Sequence, residues 1–353
     1  MATACSIATI NIIYIMKFSD VFNFENLYKS ALKSCNGVRW KTSTQLYEEY
    51  IIKNVITTLT QLKNGTYKSK GFYEFDIRER GKERHIKSVH ISERTVQKCL
   101  CDYCLTPTFK NKLIYDSGAT LKGKGLGFSA RRLKTHLHKY YRKYGNDGYV
   151  LKFDIHHFFD TIDHEILLNI VKKHIQDERL YNLYKHFVDC FGGECGIGLG
   201  SQISQLSALI YLNQLDHIIK DKLKMKFYGR YMDDGYIICE NKEKLRECLR
   251  VIKEELKGLK LQLSEKKTQI IKLKNGFTFL KRRFILTKTG KIIIKPYKKN
   301  ITRYKRKYKK LYKRNVDKKA LEIMEINFKG YLKEFRYKDI YTRRIKICID
   351  LNK

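Results

Sequence analysis

The sequence predicts an α+β protein in which helices and antiparallel strands share one central unit. The main observation is the order of strand, helices, hairpin, helix and strands between residues 148 and 294, which can bring distant segments to one sheet edge. A second observation is the three- and four-residue spacing of apolar side chains over residues 17–65, which predicts helices before this unit. A hydrophobic content of 43% in 353 residues excludes a disordered chain and suffices for more than one core.

The charge of the chain indicates a polyanionic partner. Lys and Arg total 73 against 36 Asp and Glu, a formal net charge of +37, which favours nucleic acid over a membrane surface. No apolar run reaches the roughly 18 residues of a membrane span, and the uncharged start lacks the basic region of a signal peptide. We therefore expect a cytoplasmic protein without a membrane partner, and leave open whether Met1 or Met16 is the true start.

The ten cysteines fit a reducing compartment, because they lie inside apolar segments rather than at loop spacings. Three of them are close in sequence and could in principle bind zinc: Cys99, Cys101 and Cys104. Their spacing suits one helix face, and no second ligand pair follows, so we favour a structural role.

Each element has a local reason. The segment 71–89 alternates and turns at Arg80-Gly81, which predicts a β-hairpin. Residues 91–109 then predict a helix with Ser92 as N-cap. The remaining predicted elements are a glycine-rich loop and basic helix (116–145), a strand (148–155), helices (163–175 and 204–223) separated by a glycine-rich segment (192–202), a hairpin (227–238), an amphipathic helix (242–259), strands (261–294) and a basic helical tail from 297 onward.

The stretch FYGRYMDDGYII places Asp233 and Asp234 between aromatic and β-branched residues. Adjacent carboxylates in an apolar setting destabilise each other unless a cation neutralises them. A strand ending in Asp154 can bring a third carboxylate to the same sheet edge, and a set of oxygen ligands suits Mg²⁺. Two such ions would bind the attacking and leaving oxygens of a phosphoryl-transfer reaction. The alternative is an ordinary solvated turn, which the apolar flanks disfavour.

Several motifs resemble those of reverse transcriptases, in the same order. YMDD resembles their motif C and KFDIHHFFDTIDHEIL their motif A, whereas KERHIKSVHISERTVQ and DSGATLKGKG are similar to the two finger motifs. LKLQLSEKKTQII is similar to motif D and GFTFLKRRF to the primer grip. Together these cover roughly residues 70–285. The resemblance implies a right-hand polymerase fold with fingers, palm and a helical thumb.

The resemblance also implies a division of the chain. We expect an N-terminal helical extension at 1–65 and fingers at 66–148. The palm, with finger elements inserted, is expected at 149–285 and a basic helical thumb at 286–353.

Carried over by position, the resemblance assigns the metal ligands. Asp154 and Asp233 would bind two Mg²⁺ ions, or Mn²⁺ in their place, assisted by Asp234 and the backbone carbonyl of Ile155. Lys267 would be the proton donor to the leaving pyrophosphate, although the adjacent lysine competes for this assignment.

Other positions are assigned to the substrate. Lys82 and Arg84 would bind the incoming triphosphate. Phe159, five residues after Asp154, would be the steric gate that excludes a ribose 2′-hydroxyl, the alternative being a plain core aromatic. Leu199 would face the nascent base pair where accurate relatives carry a Gln, unless the loop is shifted and Gln202 takes that place.

The basic tail resembles the thumb that grips the duplex through its phosphates. Ten Lys or Arg and no acidic residue lie between Tyr297 and Arg314. The cations expected to bind nucleic acid are Lys298, Lys299, Arg303, Lys305, Arg306, Lys307, Lys309 and Lys310.

Two departures place the chain within the family. Gly198-Leu199-Gly200 stands where retroviral and group II intron enzymes have Pro-Gln-Gly, and with Ser204-Gln205 it resembles the motif B of diversity-generating retroelement and defence-associated reverse transcriptases. Lys281 stands where the primer grip usually has Gly. No segment resembling an HNH nuclease or a ribonuclease H follows the thumb, so a self-mobile intron enzyme is less favoured.

We therefore expect a bacterial reverse transcriptase of the group II intron-like branch, which copies an RNA template, such as a structured non-coding RNA, into DNA from dNTPs in a retroelement or in phage defence. An accessory protein or a second copy remains an open partner. The alternatives are a template-independent or protein-primed DNA polymerase in antiphage defence, and a catalytically idle RNA-binding protein.

Overall fold

The computed structural model describes residues 16–79, 82–314, 317–333 and 335. Its α-helices are α1 (Phe18–Val21), α2 (Phe24–Cys35), α3 (Thr42–Glu49), α4 (Ile51–Lys63), α5 (Ile91–Leu100), α6 (Thr106–Lys110), α7 (Leu126–Tyr144), α8 (Phe158–Thr161), α9 (His164–Lys172), α10 (Glu178–Asp189), α11 (Gln202–Tyr211), α12 (Asn213–His217), α13 (Lys242–Gly258), α14 (Lys298–Lys313) and α15 (Lys318–Lys333). Its strands are β1 (Phe72–Glu79), β2 (Lys82–Val89), β3 (Tyr149–Asp154), β4 (Tyr228–Tyr231), β5 (Asp234–Cys239), β6 (Gln269–Lys272), β7 (Phe277–Phe279), β8 (Arg282–Leu286) and β9 (Ile292–Pro296).

The central sheet has four antiparallel strands in the order β4-β5-β3-β6. The chain enters at β3, passes through helices α8 to α12, and returns as the hairpin β4–β5, followed by α13 and β6. This order confirms the predicted α+β unit and its predicted hairpin. Since β3 lies between β5 and β6, its side chains are fixed by neighbours on both sides.

The two faces of the central sheet have different surroundings, because side chains alternate along a strand. Leu151 and Phe153 of β3 belong to a large core that also includes α5, α9, α10, α11 and α13. Val150 belongs to a second core with α7 and β7–β9. Lys152 and Asp154 share the face of Val150, so the acidic end of β3 lies on the face opposite the large core.

Smaller units surround this sheet. β1 and β2 form a separate hairpin, and β7, β8 and β9 form a three-stranded antiparallel sheet. The N-terminal helices α2 and α3 pack against α5. In the basic tail, α14 packs on α15 through Tyr304 and Phe328, whose ring centroids are 3.7 Å apart. Among the helices that the structure describes, none has the length and apolar character required to cross a membrane.

Three sequence predictions about helices were wrong in detail. The helix predicted over 91–109 is interrupted by a π-helical turn at Cys101–Leu105, between α5 and α6. The N-cap of α5 is His90, not Ser92, because the imidazole Nδ1 accepts the Ser92 backbone N–H at 3.3 Å. The helix predicted over 204–223 is broken into α11, α12 and a π-helical turn at Ile218–Lys222.

The cysteines near α5 belong to the core. Cys99, Cys101 and Cys104 are all buried, on α5 and on the π-helical turn Cys101–Leu105 that follows it. Burial raises the pKa of the Cys99 thiol to about 12. Such thiols behave as small apolar side chains.

Gly235 fixes the position of the central strands at their acidic end. It pairs with Phe153 across β3 and β5, and a Cβ added there would lie 2.2 Å from the Phe153 ring. That ring is buried and stacks on Tyr228 with centroids 6.3 Å apart, so it has little room to move. The absence of a side chain at Gly235 therefore allows Phe153 to pack directly over β5.

We expect Gly235→Ala to lower the free energy of unfolding by about 1–3 kcal/mol, since an overpacked core must shift side chains or backbone. Urea unfolding followed by circular dichroism measures the change. Gly258→Ala at the end of α13 is the matched control: nothing lies within 4 Å of its added Cβ, and Ala is the better helix former. Equal stability of Gly235→Ala and the parent would contradict this packing.

Candidate active site

Three aspartates meet at one end of the central sheet. β3 ends in Asp154 and β5 begins with Asp234, and the register places these two residues directly opposite each other. Asp234 also pairs with Tyr231 of β4, so that Met232 and Asp233 form the two-residue turn between β4 and β5. The strand order therefore brings together residues 79 and 80 positions apart in sequence, as the sequence predicted.

The turn of this hairpin is strained. Met232 has a φ of 53°, in the left-handed region. Hairpin turns with a positive φ at the first central residue favour glycine, and a larger residue there costs about 1–3 kcal/mol. The strained residue is directly adjacent to Asp233. Backbone strain of this kind is common at functional sites.

The carboxylates lie in an electrostatically unfavourable setting, in which Asp233 and Asp234 are half-buried. Asp154 is only 5% exposed. Burial, together with the negative charges of Asp233 and Asp154, raises the pKa of Asp234 to about 7. Burial and Asp154 likewise raise the pKa of Asp233. The site as it stands carries more negative charge than its surroundings stabilise.

Two lysines partly offset this charge. Lys267 Nζ donates to Asp154 Oδ1 at 2.6 Å. Burial opposes its charge, but this hydrogen bond and the negative charges of Asp154, Asp233 and Asp234 together outweigh burial and raise the pKa of Lys267. Lys152, two residues before Asp154 on the same face of β3, is affected mainly by burial, which lowers its pKa against the attraction of Asp234. Lys152 was missed in the sequence, although the two-residue period of a strand identifies it as a neighbour of the site.

The donor chemistry of the site fits a hard divalent cation. The side chains offer only carboxylate oxygens, and their mutual repulsion is relieved when a cation enters. Within the described residues, no group of three or more His, Cys, Asp or Glu side chains is already arranged as a metal site. The fit therefore rests on the donor type and on the unbalanced charge, with Lys267 holding one of the carboxylates.

Ile155 is held next to this site by its neighbours on both sides. Asp154 O accepts the Ser264 N–H at 2.7 Å, and the His156 N–H donates to Gln262 O at 2.8 Å. These two bonds form an isolated bridge between Ile155 and Leu263. The backbone at the end of β3 is consequently fixed beyond the last strand residue.

Phe159 lies in α8, half-buried, immediately after the acidic end of β3. Its backbone oxygen accepts the Ile197 N–H at 2.8 Å. The preceding residue, Phe158, is 3% exposed and belongs to the large core. The structure thus separates a core aromatic, Phe158, from a partly accessible one at the predicted gate position.

The glycine-rich segment 192–202, together with the preceding Phe191, connects the hairpin β1–β2 with the central unit. Leu199 forms an isolated parallel bridge with Ile86 of β2. The Lys87 Nζ donates to Phe191 O at 2.8 Å. On the other side, the Gly196 N–H donates to Ile162 O at 2.8 Å. Leu199 therefore lies where the hairpin meets the loop that supports Phe159.

Gln202 makes different contacts. Its Nε2 donates to Asp102 Oδ1 at 2.9 Å, and its Oε1 accepts from Lys98 Nζ at 3.1 Å. Both ends of the amide are thereby bonded to α5 and the π-helical turn after it. The Gln202 amide is therefore bonded within the protein, whereas Leu199 contacts the hairpin β1–β2.

The predicted triphosphate ligands Lys82 and Arg84 lie two residues apart on β2, hence on the same face of the hairpin. Their side chains lie outside the described part of the structure. The turn residues Arg80 and Gly81 are also outside it.

The predicted primer grip forms the hairpin β7–β8. Its two turn residues, Leu280 and Lys281, have φ values of 47° and 60°. This is the geometry of a two-residue hairpin turn that usually carries Asn-Gly. The backbone therefore adopts the tight turn even though Lys281 replaces the usual glycine. Tyr236 of β5 contacts Phe279 of β7 with ring centroids 5.0 Å apart, which ties the hairpin to the central sheet.

The eight predicted nucleic-acid ligands all lie on α14, a helix without buried residues. Residues 298–313 of the basic tail are therefore helical as predicted, and their charged side chains are accessible to a polyanion. The part of the predicted thumb from residue 336 onward lies outside the described residues. Binding itself remains a prediction.

Taken together, an antiparallel sheet with aspartates at its tip, a finger-like hairpin and a basic helical tail define a right-hand nucleic-acid polymerase. The family model of the reverse transcriptase (RNA-dependent DNA polymerase) matches residues 68–284, more than half of the chain. The protein belongs to this family.

Comparison with solved structures gives the same fold. The apo telomerase from Candida tropicalis has a TM-score of 0.50 and 14% identity, over 70% of this chain and 52% of that one. A Candida albicans telomerase in complex with a TWJ fragment of telomeric RNA has a TM-score of 0.49 and 12% identity, over 75% and 53% of the two chains. The chain thus spans about half the length of these telomerases. No curated protein sequence matches it.

We expect Asp234→Asn to stabilise the metal-free protein. Because the folded-state pKa of Asp234 is raised, its carboxylate costs stability above that pKa, and the cost falls as the pH drops through about 7. The variant should therefore unfold at a higher temperature than the parent at pH 8 in EDTA, with a smaller gain at pH 5.5. Scanning calorimetry measures both.

Asp189→Asn is the control for this experiment, because Asp189 is exposed and forms an ion pair with Lys185 on α10. It should give no gain at either pH. A lower unfolding temperature of Asp234→Asn at pH 8 would contradict the unfavourable setting of this carboxylate.

Proposed function

We propose that this protein is an RNA-directed DNA polymerase that synthesises complementary DNA at Asp154, Asp233 and Asp234. The observation that carries the proposal is the register of β3 and β5, which places Asp154 opposite Asp234 beside the turn residue Asp233. Membership of the reverse transcriptase family supports the same reaction. The substrates are an RNA template, a primer and dNTPs, and the product is DNA.

In the proposed reaction, the primer 3′-hydroxyl oxygen forms a bond to the α-phosphorus of the dNTP. The bond to pyrophosphate breaks, and the hydroxyl proton leaves to solvent. The three aspartates would hold two Mg²⁺ ions, or Mn²⁺, which stabilise charge on the attacking and leaving oxygens. Lys267 carries a proton on Nζ beside Asp154 and delivers it to the leaving pyrophosphate.

The rest of the chain binds the polymer and the nucleotide. We assign residues 66–148 to fingers, 149–285 to the palm and 286–353 to the thumb, with 1–65 as an N-terminal extension. Lys82 and Arg84 on the finger hairpin bind the triphosphate. The cations of α14 bind the phosphates of the duplex, since the helix has no buried residue and its sequence carries no acid.

We place the protein in the group II intron-like branch, near the enzymes of diversity-generating retroelements and phage defence. The support is the sequence Gly198-Leu199-Gly200 with Ser204-Gln205, which stands where retroviral and group II intron enzymes have Pro-Gln-Gly. A structured non-coding RNA as template, and an accessory protein or a second copy as partner, belong to the same proposal.

The first test concerns the aspartates. Asp154→Asn and Asp233→Asn should each reduce magnesium-dependent dNTP incorporation by orders of magnitude, because the cation loses a charged ligand. RNA binding should change little. The unfolding temperature should stay the same or rise. Asp189→Asn on α10 is the control and should retain the activity of the parent. Full activity of Asp233→Asn would sink the assignment.

The second test concerns sugar choice. Phe159→Val should raise the ratio of ribo- to deoxynucleotide kcat/KM by about 10- to 200-fold, the range that removal of a steric contact gives. The buried neighbour provides the control: Phe158→Leu should lower stability without changing that ratio. If the ratio stays constant in Phe159→Val, or changes equally in Phe158→Leu, Phe159 is not the gate.

The third test concerns fidelity. A glutamine at position 199 would lose a hydrogen bond beside a mispaired base, and this loss would disfavour the mispair. Leu199 forms no such hydrogen bond, so we expect ready misincorporation opposite some template bases. Leu199→Gln should improve discrimination by about 1–3 kcal/mol in kcat/KM on a defined RNA template. Gln202→Ala, whose parent side chain is bonded to Asp102 and Lys98, should leave discrimination unchanged. If the parent has high fidelity and only Gln202→Ala loses it, then Gln202, and not Leu199, faces the nascent base pair.

A further inference from the structure

A fully buried ion pair lies directly behind the strained turn. Arg230 of β4 is 1% exposed and Asp216 of α12 is 0% exposed. The guanidinium binds the carboxylate in a bidentate manner, with Nε at 2.8 Å from Oδ1 and Nη2 at 2.6 Å from Oδ2. The Tyr228 hydroxyl donates to the same Oδ1 at 2.6 Å. The carboxylate is therefore satisfied from two residues of β4.

The remaining guanidinium nitrogen faces the turn. Arg230 Nη1 donates to the backbone oxygen of Met232 at 2.8 Å. Met232 is the residue with the left-handed φ of 53°. A charge-assisted hydrogen bond to this carbonyl opposes the relaxation that a methionine in that conformation would otherwise undergo. The planar fork of Arg can make both contacts at once, which an ammonium cannot.

The backbone of Arg230 is also held from the other side. Its N–H donates to Asp116 O at 3.1 Å, and its carbonyl accepts the Gly118 N–H at 2.8 Å. The guanidinium thus extends from a fixed strand to a fixed helix.

We infer that Arg230 is a positioning residue that holds the Met232–Asp233 turn through the Met232 carbonyl, with Asp216 as its anchor, so that Asp233 and Asp234 face Asp154. The inference rests on the proposed function, because the geometry it maintains is that of the catalytic carboxylates. It adds a role for two residues, Arg230 and Asp216, that touch neither substrate nor cation.

The alternative is that the Arg230–Asp216 pair only stabilises the fold and does not position the turn. Buried ion pairs can often be replaced by apolar residues of similar volume without loss of stability. The double substitution Arg230→Met with Asp216→Leu tests this, because it leaves no unpaired buried charge. Arg230→Lys is the second variant: it keeps a cation opposite Asp216 but removes the fork that reaches Met232. Arg250→Met, on the exposed face of α13, is the matched control.

Each variant is measured for unfolding temperature, for Mn²⁺ affinity by electron paramagnetic resonance without nucleotide, and for kcat and dNTP KM in primer extension. We expect a folded double variant and a folded Arg230→Lys, with Mn²⁺ binding weakened about tenfold or more. We expect kcat to fall about 30-fold or more, with KM within about threefold of the parent. Arg250→Met should match the parent in all four quantities.

A rescue variant sharpens the result. Glycine adopts a positive φ freely, so Met232→Gly in the Arg230→Lys background should recover part of the lost Mn²⁺ affinity and kcat, with no gain in the parent background. A folded variant of either type with parental Mn²⁺ affinity and kcat would overturn the inference. If the double variant and Arg230→Lys both fail to fold, Arg230 and Asp216 serve stability, and the inference is overturned as well. An inactive parent that still loses Mn²⁺ affinity in Arg230→Lys would count against the proposed function and not against the positioning role.

Discussion

The antiparallel pairing of β3 with β5 is the constraint on which the rest of the structure depends. A shift of the register by one residue would turn Asp154 toward the helical layer and exchange it with the buried Phe153. Apolar side chains on one face, packed against α11 and α13, make that shift costly, because Leu151 and Phe153 would leave the core. The hydrophobic core thereby determines which carboxylates meet.

The same sheet end concentrates several unfavourable features. Two neighbouring carboxylates there have raised pKa values, and Met232 has a left-handed backbone. In the separate three-stranded sheet, the β7–β8 turn adds two non-glycine residues with positive φ. Such features persist only when the surrounding structure fixes them. Here Lys267 contacts Asp154, the fork of Arg230 contacts Met232, and Tyr236 contacts Phe279. Stability elsewhere in the sheet maintains a site that is poised to bind a cation.

The sequence predicted most of this arrangement because its signals are local. The order of strands, the hairpin around YMDD and the basic helix follow from patterns of a few residues each, and the resemblance to reverse transcriptases agrees with the family match. Contacts between distant segments could not be predicted in the same way. The pairing of Arg230 with Asp216, the bonding of Gln202 to Asp102 and the cap of α5 by His90 depend on tertiary packing. Lys152 was within reach of the sequence, through strand alternation, and was overlooked.

The central claim is that the sheet end formed by β3 and β5 copies RNA into DNA. The most direct measurement is the sequence of the DNA made on a defined RNA template with a DNA primer, four dNTPs and Mg²⁺. The account predicts a product complementary to the RNA, which disappears when either the RNA or the metal is omitted. A product of unrelated sequence, or an equal yield without the RNA, would indicate a template-independent polymerase and contradict the claim.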